Sequence, residues 1–247
     1  MTKPKAILFD LDDTLAVSKQ PVTPHMAIQF MKLLTIMPVG IVSGAKPDQI
    51  KHQFVAGLPK EANLHNLYLF PEGAAECFAW NGNEFETKYS HVFSPDEAKE
   101  VISVLNQTLE ETKIVAGETI YGDIVENRGG QITLSALGQI APVEAKRPWD
   151  PDQSKRQMLR AKIAPLLPFC EVKIGGMTSV DISKKGIDKR LSVLWIKDML
   201  GCDLSELIYV GDALFEGGND AIIKETGVPT IQTKGPEETY EIIGRFL

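Results

Sequence analysis

The 247 residues, 43% hydrophobic and 24% charged, lie close to globular averages and exclude a disordered, collagen-like or coiled-coil chain. A chain of this length can bury one generous core or two modest ones, and two domains are expected. A net charge of −7 offers no global attraction for nucleic acid or anionic lipid, so the expected partner is a small molecule, with any phosphate drawn by local cations and bound metal.

No stretch approaches the roughly 20 apolar residues of a membrane span. Three aspartates interrupt the apolar start MTKPKAILFDLDDTL, which argues against a secretory signal. Cys77, Cys170 and Cys202 lack CxxC spacing and are odd in number, which points to a reducing cytoplasm. His25, His52, His65 and His91 show no zinc spacing, and Lys3-Pro4-Lys5 is too short for a nucleic-acid patch. Trp80, Trp149 and Trp195 read as core or interface residues rather than platforms for bases.

In chain order, Ala6-Ile7-Leu8-Phe9 is a short apolar run ending in Asp10, the pattern of a fully buried strand that emerges into a polar loop. A helix over about 24–34 leads to a second such strand, Pro38–Val42, which ends in Ser43-Gly44. The pattern then changes. Ser94-Pro95-Asp96-Glu97 is a capping box opening a helix to about Leu109. Alternating runs at 119–126 and 131–137, joined by Asn127-Arg128-Gly129-Gly130, predict a hairpin. A helix over about 152–166 precedes a second pair, 170–174 and 179–182, joined across Gly175-Gly176. Helical patterns return at 188–200 and 219–226, on either side of a buried strand, Leu207–Val210, that ends in Gly211-Asp212.

The alternating segments imply an α/β core with a Rossmann-like parallel sheet, residues 1–83 and 186–247. The hairpins imply an α+β domain with an antiparallel sheet inserted over 84–185. In open parallel sheets ligands sit beyond the carboxyl ends of the strands, where Asp10, Ser43 and Asp212 would converge.

Asp10 and Asp12 lie two residues apart, and on extended chain such side chains share a face. Such a pair can divide the labour, one carboxylate as nucleophile and the other as acid and base. Two anions facing a phosphate need a cation, and Mg²⁺ suits carboxylate oxygens, with Asp212 as a further ligand. The competing reading of each Asp alone is turn and cap chemistry, and for Asp13 that reading is preferred.

The joint pattern resembles the haloacid-dehalogenase-like (HAD) superfamily. Its four motifs are matched by Asp10 and Asp12, by Ser43, by Lys189, and by Asp212 with Gly217-Gly218-Asn219-Asp220. The insert falls where that superfamily places its larger, class II cap. The resemblance implies that Asp10 forms an aspartyl-phosphate and that Asp12 is acid and base, giving its backbone carbonyl to Mg²⁺. It further implies that Ser43, beside Gly44, binds a phosphoryl oxygen, that Lys189 rather than Lys185 neutralises the transferred group, and that Asn219 and Asp220 stand behind the metal ligands.

A closer resemblance, to the eukaryotic-type phosphomannomutases with their type B class II cap, rests on four runs. These are Glu126–Gly130, Gly175–Asp181, Asp188-Lys189-Arg190, and Gly211-Asp212 followed by Gly217–Asp220. It implies that Arg128, Ser179 and Asp181 bind the sugar phosphate. Further family arginines fall on Lys19, Gln139 and Lys146, with Arg147 adjacent to the last. Arginine grips phosphate bidentately, lysine is a point charge and glutamine carries none, so the second phosphate site is expected to be weakened. The expected function is therefore an Mg²⁺-dependent phosphatase of a small phosphorylated metabolite, a sugar phosphate. A hexose-phosphate mutase is the alternative and a non-catalytic binding protein a remote third. The family analogy also admits a homodimer.

Overall fold

A computed structural model describes residues 3–247. The chain divides into two compact units, one formed by residues up to Ser90 together with Ile187–Leu247, the other by His91–Gly186. Among the described residues no helix is long and apolar enough to cross a membrane.

The first unit begins with β1 (Ala6–Asp10), every residue of which is buried. Thr23 caps α1 (Pro24–Leu34), its side chain accepting from the Met26 amide at 3.2 Å, and Pro24 stands where a helix needs no amide donor. The chain continues through β2 (Val39–Val42), α2 (Pro47–Gln53), β3 (Leu67–Phe70), β4 (Glu76–Trp80) and β5 (Phe85–Ser90).

The inserted unit runs α3 (Pro95–Thr112), β6 (Val125–Asn127), β7 (Gln131–Ser135), α4 (Val143–Lys146), α5 (Ser154–Ile163), β8 (Cys170–Ile174) and β9 (Ser179–Lys184). The first unit resumes with α6 (Arg190–Leu200), β10 (Leu207–Gly211), β11 (Thr230–Gln232) and α7 (Pro236–Gly244).

The core sheet has seven strands in the order β11-β10-β1-β2-β3-β4-β5. The five from β11 to β3 pair in parallel, while β4 and β5 extend the sheet as an antiparallel edge. Alternate residues of β1 feed opposite faces. Ile7 and Phe9 pack with Phe30 of α1 and with Ile242 and Ile243 of α7, whereas Ala6 and Leu8 pack with Val193 and Ile196 of α6. Helices on both faces make β1 and β2 apolar up to their ends, where Asp10 and Ser43 stand.

The inserted sheet is antiparallel, in the order β6-β7-β9-β8. Ile132, Leu134, Val180, Ile182 and Val172 form one core with Val101 and Leu105 of α3 and Leu159 and Ile163 of α5. The intervening residues share the opposite face. Cross-strand pairing sets Glu126, Thr133, Asp181 and Lys173 in one row across the four strands, with Ser135 opposite Ser179. One side of this sheet is thus a helix-covered core and the other a polar surface.

Three local expectations differ from the structure. The insert expected from residue 84 begins at His91, because 85–90 form β5 and pair with β4 of the core sheet. The strand expected over 119–126 is only Val125–Asn127. Upstream, Tyr121 bonds the loop after β7 instead of a neighbouring strand: its amide donates to the Leu137 carbonyl at 2.9 Å, and its carbonyl accepts from the Ile140 amide at 3.1 Å. The helix expected over 219–226 is a 3₁₀ segment, Ala221–Thr226, ended by Gly227 in the left-handed region.

The capping box at the head of α3 is complete. The Ser94 side chain accepts from the Glu97 amide at 3.3 Å, and Glu97 accepts from the Ser94 amide at 2.7 Å. Ser94→Ala should lower unfolding stability by about 1 kcal/mol, as caps generally contribute, measured by denaturant titration with probes in the inserted unit. An unchanged midpoint would show that α3 is held by packing alone.

Candidate active site

Asp10 is the last residue of β1 and is only 4% exposed. Lys189, at the N-cap of α6, places its ammonium 2.5 Å from Asp10 Oδ1 and 2.6 Å from Asp220 Oδ1. Tyr209, buried in β10, donates its hydroxyl to the same Asp220 oxygen at 2.7 Å. Asp212 follows β10, and its amide donates to the Thr14 hydroxyl oxygen at 3.0 Å. Ligand oxygens of Asp10, Asp212 and Asp220 all lie within 4.8 Å of one another.

The electrostatics are unbalanced. Burial pushes Asp10 up to about 7, opposed by the Lys189 ammonium and reinforced by the charges of Asp220 and Asp212. Asp212 is raised as well, by burial first and then by Asp220. Burial disfavours the Lys189 charge, yet Asp10 and Asp220 beside it outweigh that and hold the lysine protonated. Three carboxylates around one ammonium leave excess negative charge, and Asp220 Oδ2 is buried with no hydrogen-bond partner. An all-oxygen donor set with an orphaned carboxylate oxygen fits a hard divalent cation.

Asp12 has different partners from Asp10. Its Oδ1 accepts from the Lys19 amide at 2.7 Å and from Gln53 Nε2, at the end of α2, at 3.1 Å. The Asp12 carboxylate lies outside the Asp10–Asp212–Asp220 group. Asp13 sits at φ 57° and accepts the Ser18 amide at 3.0 Å, the loop role expected of it.

Ser43 is buried after β2, with Oγ accepting the Ala45 amide at 3.0 Å, and Gly44 is exposed beside it. A left-handed turn over Glu72, Gly73 and Ala74, with φ of 52°, 68° and 68°, bonds this segment. Gly73 donates to the Ser43 carbonyl at 2.9 Å and Glu72 to that of Ala45 at 3.0 Å. Asn219 is exposed, next to buried Asp220.

In the inserted unit, Thr133 Oγ1 donates to Asp181 Oδ1 at 2.8 Å, and Gln131 donates to Thr133 Oγ1 at 2.9 Å. Burial raises the Asp181 carboxyl, against the Thr133 hydrogen bond and the positive charge of Arg128. Arg128 Nε lies 2.9 Å from Glu126 Oε2, and its Nη2 lies 3.4 Å from Gln139 Oε1. Ser179 Oγ is 3.5 Å from Ser135 Oγ. Lys146 ends α4 half-buried, and Arg147 follows, exposed. Lys19 is exposed at φ 59° in the first unit, and only its amide is tied down, on Asp12.

Sequence reasoning missed Tyr209, Gln53 and the left-handed turn. Tyr209 looks like any buried strand residue, and only the distance to Asp220 sets it apart. The turn carries Glu and Ala at two of its three positions, residue types that give no sign of positive φ.

A family model described as eukaryotic phosphomannomutase matches residues 26–247. The chain belongs to the eukaryotic phosphomannomutase family. Among relatives, the phosphomannomutase of Nicotiana benthamiana is 30% identical over 244 residues, covering 95% of this chain and 90% of that one. That of Spinacia oleracea is 29% identical over 226 residues, covering 88% and 86%.

Among solved structures, a truncated, IMP-bound IMP-nucleotidase of Plasmodium falciparum superposes with a TM-score of 0.71 at 14% identity, covering 98% of this chain and 68% of that one. A haloacid dehalogenase-like hydrolase from Bacteroides thetaiotaomicron gives 0.60 at 16% identity, covering 99% and 100%. These two likenesses concern the fold, which is HAD-like. Membership of the phosphomannomutase family makes the chain an enzyme of phosphotransferase or phosphohydrolase type.

At Gly211 a Cβ would stand 2.5 Å from Asp220 Oδ2. Gly211→Ala should displace Asp220 and with it Lys189, lowering phosphoryl-transfer activity by at least ~10-fold and stability by about 1–3 kcal/mol. Activity assays and thermal unfolding on one preparation test this. Full activity would show that Asp220 can move without consequence.

Proposed function

We propose that the chain is a phosphomannomutase-like phosphotransferase that moves a phosphoryl group on a hexose phosphate through an aspartyl-phosphate at Asp10. The observation that carries this reading is the buried Asp10–Lys189–Asp220 array at the carboxyl end of β1, in a chain of the phosphomannomutase family. An Asp10 oxygen attacks phosphorus, and the bond from phosphorus to the sugar oxygen breaks. Asp12 gives that oxygen a proton and later takes one from the hydroxyl that receives the phosphoryl group. Its bonds to the Lys19 amide and to Gln53 hold the carboxylate apart from the Asp10 cluster until then. Lys189 balances charge on the transferred group, while Ser43 and Gly44 hold its oxygens. Asp10, Asp212 and the Asp12 carbonyl would hold Mg²⁺, with Asp220 and Asn219 behind them. The ion would supply neutralisation of the phosphate charge.

The polar face of the inserted sheet suits recognition of the sugar phosphate, with Arg128, Ser179 and Asp181 as its contacts and Lys146, Arg147 and Lys19 as supplementary cations. The inserted unit acts as the cap of this reading. The buried, unpaired Cys77, Cys170 and Cys202 suit a cytoplasmic setting.

One observation favours the phosphatase reading as the second: Arg128 already engages Glu126 and contacts Gln139, a residue that brings no charge. A mutase must hold a bisphosphate intermediate and turn it end for end. A weak distal phosphate site lets water take the phosphoryl group instead.

The deciding experiment supplies mannose 1-phosphate or glucose 1-phosphate with Mg²⁺ and a trace of hexose 1,6-bisphosphate, and follows products by phosphorus NMR. Hexose 6-phosphate should form faster than inorganic phosphate, and Gln139→Arg should widen the ratio. Faster phosphate release would reverse the order of the two readings. Asp10→Asn should abolish both products, since an amide is a far poorer nucleophile, and substantial turnover in that variant would sink the covalent route. Arg128→Ala should cut kcat/KM for the hexose phosphate by ~10-fold or more while sparing p-nitrophenyl phosphate. Equal losses on both substrates would assign Arg128 to chemistry or folding rather than recognition.

A further inference from the structure

Within the inserted unit a buried ion pair lies outside every motif of the sequence. Arg156 and Asp150 have side chains only 7% and 0% exposed, with Arg156 Nε 2.7 Å from Asp150 Oδ2. Asp150 serves the start of α5, accepting the Lys155 amide at 2.9 Å and the Arg156 amide at 3.0 Å. Burial opposes its ionisation, but the Arg156 guanidinium and these amides hold its carboxyl below the usual value. The guanidinium then reaches further: Nη2 donates to the Asp150 carbonyl at 2.9 Å. Nη1 donates to the carbonyl oxygens of Gly175, at 3.4 Å, and of Gly176.

Gly175 and Gly176 form the turn between β8 and β9. Ser179 opens β9, and Asp181 lies two residues on, on the same polar face. The turn is packed against Asp181: a Cβ on Gly175 would stand 2.5 Å from Asp181 Oδ2 and 3.2 Å from Ser179 Cβ. The Gly175 amide donates to the Ser179 carbonyl at 2.9 Å. Two consecutive glycines give a turn with wide conformational freedom, so something outside it must restrict it. A planar guanidinium with five donors can bond several fixed acceptors at once, which a lysine cannot.

We propose that Arg156, anchored by Asp150, is the positioning residue of the β8–β9 turn and so sets the placement of Ser179 and Asp181 for the substrate. This rests on the reading of Ser179 and Asp181 as substrate contacts. Arg156 itself touches no substrate. It ties the head of α5 to a glycine turn, converting helix-end rigidity into a defined position for the two side chains.

The test compares Arg156→Ala, Arg156→Lys and Asp181→Ala in the full chain, using hexose 1-phosphate and p-nitrophenyl phosphate, with hydrogen exchange read at the turn. Arg156→Ala should raise KM for the hexose phosphate ~10-fold, leave kcat/KM for p-nitrophenyl phosphate within ~2-fold, and speed exchange at Gly175 and its neighbours. Added methylguanidinium should recover much of the KM in Arg156→Ala. Arg156→Lys, which keeps the charge and much of the volume, should recover little, and it is the variant to use if the alanine variant unfolds. Unchanged exchange at the turn, or parallel losses on both substrates, would overturn the proposal. If Asp181→Ala raises the hexose KM and neither Arg156 variant does, the substrate reading stands and the Arg156 role falls. If Asp181→Ala leaves that KM untouched, the substrate reading falls and takes the recognition role of Arg156 with it.

Discussion

The ammonium of Lys189, 2.5 Å from Asp10 and 2.6 Å from Asp220 inside the protein, is the contact around which the first unit is arranged. An ammonium held away from water needs an anion beside it, and here it has two; losing Lys189 would leave buried carboxylates uncompensated, at a cost of about 3–5 kcal/mol. The three participants come from chain positions 10, 189 and 220, so the sheet must bring distant segments together before the pair can exist. Parallel pairing of β1 with β10 does this, setting Phe9 beside Val210 immediately before the strands end at the site. Tyr209 and Gly211 refine the placement, one by a hydrogen bond to Asp220 and the other by lacking a side chain that would strike it.

That arrangement does not settle its own charge. One ammonium serves Asp10 and Asp220 while Asp212 crowds the same space, and one Asp220 oxygen has no partner. Such a cluster favours whatever cation it can recruit, and binding to the folded state alone would stabilise that state by mass action. The site therefore couples ligand readiness to stability: burial first, and then the neighbouring carboxylates, raise Asp10 and Asp212, and a divalent ion would offset both.

Much of this was legible in the sequence, because buried parallel strands read as unbroken apolar runs and their ends as abrupt polar residues. The strand ends that carry Asp10, Ser43 and Asp212 are read that way, and the capping box locates α3 within a residue of its start. The edge strands were not legible. Residues 85–90 alternate weakly, so nothing local distinguishes a hairpin arm of the core sheet from the start of an insert, and only pairing with β4 decides. The Arg156–Asp150 pair was hidden for the opposite reason. A charged residue on a polar-looking helix reads as solvated, and α5 shows its burial only when the turn at Gly175 is folded against it.

The two units solve opposite problems with similar chemistry. The core buries a lysine among an excess of carboxylates and so favours a cation. The inserted sheet keeps its polar groups on one face, and Arg128, just beyond β6, pairs with Glu126 and lies near enough to Asp181 for its charge to be felt there. A phosphate approaching Arg128 must displace or share the Glu126 contact, whereas sugar hydroxyls can bond Asp181, Ser179 and Gln139 with no charge to overcome. On the proposed reading, this surface therefore engages the sugar through its hydroxyls as well as through Arg128. If Asp10 carries the phosphoryl group as proposed, the grip on the distal end sets how long the sugar stays beside the intermediate and so governs its fate.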